Sequence, residues 1–454
     1  MKKVIFLGHS ILAVKTIELL KQFGFEGTFT IFCPQGSQPY WEGHIPAFLS
    51  NRLKLDDLYF RTNHFYSQDE INVVTEADMT RINLVRRKIH TEQKNIYNFD
   101  ILVLTHMPHI NLPDIKGINK KGIFNFRRLK DAESLGTNFL LQETVILKTN
   151  SLYGLAFAGA IAQREIETIV ICEEDHILRP YLPAECSRWL QKRMEEQGVR
   201  FILQNDILDI LGDSDVKAIR LKTGKVIACQ AVGYGECPPD LRLLRDSELH
   251  LDNGITAWNG IHTSLSDIYV CDTLANPVSF FDPFCPTTHE LDHQAKFLAS
   301  KIVEKELASE DHMAHAHYQF GPFDCVFLGQ CRLTPSGQTF VQYDDERNTM
   351  IIYYARQNGE VTGIAYMNVV RDIDLIKYKK MIEQKTPLTD ICDDLSAVHV
   401  NPPEQNGHAD SPATDDAAGD QSDSPSSVAP HSDGEQPVIS QPRDQVIEDE
   451  TILK

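Results

Sequence analysis

A β-turn-α-β order that occurs twice constrains this 454-residue chain more than any other feature. Lys3–Leu7 carries a continuous apolar run, as a strand buried on both faces requires. The run breaks at Gly8. A helix follows near Ile11–Phe23, with Val14, Ile17 and Leu20 on one face, and Thr28–Cys33 is the next strand. The same order returns about 140 residues later with Thr144–Lys148, an Ala-rich helix at Tyr153–Glu165 and Thr168–Cys172. A helix at Ala184–Gln197 and a strand at Val199–Leu203 extend it. Parallel strands joined through helices predict an α/β chain with two nucleotide-binding-type domains.

The rest of the chain reads differently. Val216–Leu221 and Val226–Val232 flank Lys222-Thr223-Gly224-Lys225, a hairpin signal. Asp267–Cys271 is a short strand ending at Asp272, and a long helix spans roughly His289–Lys305. From Pro322 the pattern turns β-rich, with Cys325–Gln330, Thr339–Tyr343, Met350–Arg356 and Gly363–Val369 closed by a helix at Ile373–Glu383. Residues 401–454 hold twelve Asp or Glu against two Lys or Arg, seven prolines and no Phe, Trp or Tyr. Such a stretch cannot bury enough apolar surface to offset its ordering entropy, so it is expected to be a disordered acidic tail.

Charge and cysteine content narrow the function classes. A net charge of −20 disfavours nucleic-acid binding, since nothing offsets phosphate repulsion. No apolar run approaches the ~20 residues of a membrane span. Met1–Leu7 looks like a signal peptide only until Gly8-His9-Ser10 and Lys15 interrupt it. Ten scattered cysteines without a Cys-x-x-Cys pair point to a reducing, cytoplasmic compartment.

The first turn, Gly8-His9-Ser10-Ile11-Leu12-Ala13, matches two of three positions of a dinucleotide fingerprint, with Ser10 where the second glycine belongs. No acidic residue follows the second strand, where Cys33-Pro34-Gln35 stands. The second turn, Thr149-Asn150-Ser151-Leu152-Tyr153-Gly154, keeps only its last glycine, with Glu173 as the candidate ribose acid. His289-Glu290-Leu291-Asp292-His293 matches H-E-x-x-H, but Asp292 charges a variable slot and no third ligand is evident. These three residues are expected not to hold a catalytic zinc, and no metal site is assigned. His312, His315 and His317 read as part of a solvated interdomain linker.

Longer strings carry a family resemblance. Pro39-Tyr40 followed by Ile45–Arg52 resembles P-Y-S-R-x-x-L-P-Y-x-L-A-G-R. Ile101–Met107 resembles the A-T-G strand, Gly122–Ala132 resembles G-V-F-x-L-R-x-L-x-D-A, and Asp267–Asp272 resembles D-I-Y-A-x-G-D. Gly359–Ile364 through Val370–Ile373 resembles G-x-L-x-G-x-x-x-x-G-D-x-x. Together these resemble the FAD-dependent pyridine-nucleotide-disulfide oxidoreductases, nearest the flavin module of NAD(P)H nitrite reductases and of ferredoxin or rubredoxin reductases.

The resemblance implies two Rossmann-like domains, the second inserted in the first, with a small α+β C-terminal domain. Its expected boundaries are 1–115 and 237–318 for the FAD-binding-like domain, 116–236 for the NAD(P)-binding-like insertion, 319–397 for the α+β domain and 398–454 for the tail. It implies FAD held by Gly8, Ser10, Ala13, Thr105 and Asp272, and NAD(P)H held by Gly154 and Glu173, with no dedicated catalytic side chain assigned. Departures fall at ligand positions: Ser10, Glu42 for an expected Arg, His106 and Cys271 for glycines, and Thr149, Asn150 and Ser151 in the second turn. No Cys lies between Cys33 and Cys172, so a dithiol mechanism is excluded.

Two readings stand at this point. The chain is an FAD-dependent NAD(P)H oxidoreductase passing electrons to an acceptor, with the C-terminal domain or acidic tail meeting a protein partner and the C-terminal domain offering a homodimer face. Alternatively it is a catalytically degenerate relative kept as a binding or scaffold protein.

Overall fold

The computed structural model describes residues 1–400 apart from residues 9, 34–37, 76–77, 107–110, 139–141, 252–253, 259, 277–284, 306–312, 345, 369–374 and 393–397. Of the expected tail, 398–454, the part from residue 401 lies outside the described residues, as do His312 and Pro34-Gln35, whereas Val398–Val400 form a strand rather than tail.

The chain opens with β1 (Lys2–Leu7), α1 (Ile11–Gln22), β2 (Gly27–Cys33), β3 (Ile71–Thr75) and β4 (Ile101–Leu104). The next segment contributes β5 (Ile123–Asn125), β6 (Thr144–Lys148), α2 (Leu152–Ala162), β7 (Glu167–Ile171), α3 (Ala184–Glu196), β8 (Val199–Ile202) and β9 (Ala231–Tyr234). It then returns through β10 (Ile268–Val270) and α4 (Thr288–Ile302). The last part adds β11 (His315–Phe320), β12 (Phe323–Gly329), β13 (Gln338–Asp344), β14 (Thr349–Ala355), β15 (Val361–Met367), α5 (Leu375–Glu383) and β16 (Val398–Val400).

Three sheets organise these elements. The first is parallel in the order β10-β4-β1-β2-β3, so the chain comes back after β9 to complete the sheet it began. The second is parallel in the order β8-β7-β6-β9-β5. In each, the strand that opens the β-α-β unit (β1 or β6) sits between neighbours reached in opposite directions. A crevice opens there at the carboxyl ends of the strands. The third sheet is antiparallel, β11-β12-β15-β14-β13-β16, covered by α5. The expected α/β architecture with an inserted second unit and an α+β C-terminal part is the one observed.

The residues explain the layers. Val4, Phe6 and Leu7 are almost fully buried, because α1 and α4 cover one face of the first sheet and a small antiparallel sheet at Met79–Asn98 with the segment around Leu244 covers the other. Ile11, Val14, Ile17 and Leu20 form the stripe that α1 turns to the core. All eleven residues of α2 are buried, since the helix lies between the second sheet and the third.

Two local expectations need correction. The apolar stretch Val226–Val232 is not one strand. Val226–Ala228 closes the hairpin with Ala218–Leu221, and after a break at Cys229-Gln230 the chain joins a different, parallel sheet as β9. His315 and His317 do not lie in a solvated linker. They form edge strand β11, with alternate residues Ala316, Tyr318 and Phe320 buried, and His317 Nε2 is 3.0 Å from Asp324 Oδ1.

The closest approach between α2 and the third sheet is at Gly159. A Cβ there would lie 2.2 Å from the backbone nitrogen of Gly321, in the β11–β12 turn. Gly159→Ala is therefore expected to destabilise the protein by about 1–3 kcal/mol through overpacking. Gly43→Ala, with no atom within 4 Å of the added carbon, serves as the control. Equal chemical-denaturation midpoints for the two variants would contradict this packing.

Candidate functional site

The first crevice is built at the end of β1. Gly8 has φ +127°, and a Cβ there would come within 2.5 Å of His106 Cβ and Thr105 Oγ1. Glycine is required because β4 closes on β1 at this point. The Leu7 carbonyl accepts from the Thr105 and His106 amides, at 3.0 Å each, and from the Thr105 hydroxyl at 2.9 Å. Thr105 is thus committed to the backbone. Ala13 is fully buried beneath the turn. Ser10 caps α1, its Oγ accepting from Leu12 N at 3.2 Å. The Ser10 hydroxyl donates to Asp272, which the end of β10 delivers across the crevice. Asp272 is 5% exposed and takes φ +56°, a left-handed conformation rare outside glycine. Burial first, and the Glu42 carboxylate second, push its carboxyl from the usual 3.8 up to about 6, against the Ser10 bond and the Arg127 charge.

Next to it lies a buried polar hub. Arg127 Nε and Nη2 donate to Glu42 Oε2 at 3.1 and 3.0 Å. Arg127 Nη2 also meets His106 Nε2 at 2.9 Å. Because a guanidinium only donates, that imidazole nitrogen accepts, which leaves Nδ1–H to face Thr273 Oγ1 at 3.3 Å. Burial alone would lower the Arg127 guanidinium, and the Glu42 carboxylate together with Cys285 and Asp272 more than reverses this, so it stays charged. Glu42, in the position where the resemblance expects an Arg, is not a stray reversal of charge. It is the counter-ion of Arg127. The Tyr40 hydroxyl donates to the Arg127 carbonyl at 2.9 Å and accepts from Leu129 N at 3.1 Å. The hub therefore ties the loop after β2 to the start of the inserted segment.

The second crevice, at the end of β6, is filled differently. Ser151 caps α2, its Oγ accepting from Gly154 N at 3.0 Å. Ahead of it, the Glu236 carboxylate accepts from Asn150 N at 3.1 and 3.2 Å, from Ser151 N at 3.0 Å and from the Thr149 hydroxyl. A Cβ on Gly154 would overlap Thr149 Oγ1, so Gly154 makes room for that side chain. Glu173 stands apart on the surface, paired with Lys148 at 2.5 Å. The donor set at the first turn fits a flavin dinucleotide: small residues, a helix N-terminus, a buried cation and a buried carboxyl acceptor converge there. In the second turn a protein carboxylate already holds the Asn150 and Ser151 amides, so a second dinucleotide would meet that negative charge there.

The remaining candidates have structural duties. Glu290 closes a capping box, its carboxylate accepting from Thr287 N at 2.7 Å while the Thr287 hydroxyl accepts from Glu290 N. Asp292 pairs with Lys15 of α1. Among the described residues no group of three metal-ligating side chains occurs. All ten cysteines are buried free thiols, and burial pushes Cys33 and Cys172 up to about 12, away from thiolate chemistry.

The raised Asp272 carboxyl generates a pH test. A carboxyl whose folded value lies above its unfolded one contributes stability that is present below about pH 4 and lost as pH rises through about 6. Two units correspond to about 3 kcal/mol. In cofactor-free protein, the stability of the wild type relative to Asp272→Asn is expected to fall by up to that amount between pH 4 and pH 7.5. Parallel pH profiles in urea unfolding would contradict the assigned environment.

Comparison with known proteins agrees with this fold. The chain is 23% identical over 362 residues to the assimilatory nitrate reductase electron transfer subunit of Bacillus subtilis (strain 168), covering 79% of this chain and 45% of that protein. The chain thus spans less than half the length of that relative. It is 22% identical over 306 residues to rubredoxin-NAD(+) reductase of Ectopseudomonas oleovorans, covering 66% and 79% of the two chains. In the covalent putidaredoxin reductase–putidaredoxin complex, a chain superposes with a TM-score of 0.76 at 17% identity, over 87% of this chain and 96% of that one. Proteins of this family and its ferredoxin reductase relatives use FAD and NAD(P)H. Residues 6–278 match the pyridine nucleotide-disulphide oxidoreductase family from the first strand through Asp272, and the chain belongs to that family.

Proposed function

We propose that this chain is an FAD-dependent reductase that takes electrons from a nicotinamide nucleotide and hands them to a small redox protein of the ferredoxin or rubredoxin kind. The observation that carries the reading is the first crevice. There the family fold keeps Gly8, Ser10 and Ala13 at the head of α1, with Asp272 and Arg127 buried beside them. Bound FAD supplies the exchange between a two-electron hydride donor and a one-electron acceptor. The chain's own part is to hold and orient. The α1 N-terminus and the Arg127 guanidinium would hold the pyrophosphate, and Asp272 would accept from a sugar-chain hydroxyl. No dedicated acid or base is needed.

Two further supports are chemical. Ten free thiols suit a reducing, cytoplasmic setting. The relatives matched are named as electron-transfer subunits and reductases, so the scaffold alternative finds no support among them. Among the described residues, no helix is long and apolar enough to cross a membrane.

The test is the visible spectrum of the purified chain. Flavin bands at about 375 and 450 nm are expected, released as FAD on denaturation. A colourless protein that takes up no added FAD would sink the reading.

A further inference from the structure

The second crevice carries an inference of its own, which rests on the reading above only for the identity of the ligand. β9 runs parallel to β6, and Tyr234 pairs with Lys148 at the end of that strand. Two residues farther on, the chain therefore passes over the head of β6 and sets Glu236 at the N-terminus of α2. This carboxylate does not belong to a local cap, since it arrives from 85 and 86 positions along the chain. It takes the backbone N–H groups of Asn150 and Ser151, together with the Thr149 hydroxyl. Farther into the first turn of α2, Gly154 N is held by Ser151 Oγ. A helix N-terminus stabilises one anion through its free N–H groups and dipole, and a second negative group brought to the same donors meets both repulsion and a lack of donors.

We infer that Glu236 is an internal anion seated where the pyrophosphate of a nicotinamide dinucleotide would sit, so that the nucleotide gains the α2 turn only by displacing it. The residue then sets the affinity for the electron donor. The side chains at Thr149 and Ser151, where the fingerprint has glycines, become intelligible as the other half of the same arrangement. Thr149 contributes a third donor to Glu236, and its own bulk is accommodated by Gly154.

The experiment titrates NADH and NADPH by calorimetry into the full-length wild type, Glu236→Ala and Glu236→Gln, with melting curves to confirm folding. The Ala variant removes the anion, while the Gln variant keeps its shape and one acceptor oxygen without the charge, and decides the matter if the Ala variant fails to fold. Both variants are expected to bind at least one nucleotide tenfold or more tighter than the wild type, the Ala variant most strongly. A merely structural cap would lower the melting temperature and bring no gain in affinity. Equal affinity across the three proteins, weaker binding in the variants, or no binding by any of them overturns the inference. Flavin content read from the same samples reports separately on the reductase reading. A colourless protein with the gain removes that reading and keeps this one, whereas a yellow protein without the gain does the reverse.

Discussion

A carboxylate brought by another strand of the same sheet to the N-terminus of a helix is the interaction on which both crevices depend, and the two encounters end differently. In the first, Asp272 meets the side chain of Ser10, and Ser10 rather than the carboxylate satisfies Leu12 N. The helix end keeps its capacity for an anion. In the second, Glu236 reaches past the capping Ser151 to the backbone itself. One fold, with the same parallel order around a central strand, thus presents one seat ready for a dinucleotide and one that contains its own anion. The difference follows from which strand carries the carboxylate: β9 lies directly beside β6, whereas β10 lies one strand away from β1, beyond β4.

The Glu42–Arg127 pair gives the first crevice its electrostatics. Both side chains are largely buried, at 15% and 7% exposure, and removing one partner of such a pair costs about 3–5 kcal/mol. The pair is kept or lost together. Its position between the loop after β2 and the start of the inserted segment makes it a clasp as well as a charge source. The same contacts that hold the cation in place, through Tyr40, His106 and Thr273, also align the strand ends that form the crevice.

Much of the fold was legible because parallel strands leave continuous apolar runs, and Lys2–Leu7, Thr144–Lys148 and Glu167–Ile171 appear within a residue or so of expectation. The run Val226–Val232 misled because one apolar stretch serves two sheets, and only the polar Gln230 marks the change. In β11 the alternation of His315, His317 and Gln319 with buried Ala316, Tyr318 and Phe320 was present, but the clustered histidines gave the stretch the polar look of a solvated linker. The first turn was readable from Gly8, Ser10, Ala13 and Asp272. The Arg127 counter-ion and the Glu236 anion were not. Each acts on a residue about 85 positions away, so no local spacing announces it. The available signal was positional: an acidic residue just beyond a strand that neighbours the fingerprint strand.

In the nucleotide-free protein Glu236 occupies the Asn150 and Ser151 backbone donors of the second turn. Hydrogen–deuterium exchange resolved to Asn150 and Ser151 measures this most directly. In the wild type these amides should be protected although they precede the hydrogen-bonded body of α2, and in Glu236→Ala their exchange should quicken by tenfold or more while the rest of α2 stays protected. Fast exchange at both positions in the wild type, or the same protection with the carboxylate removed, would contradict the claim.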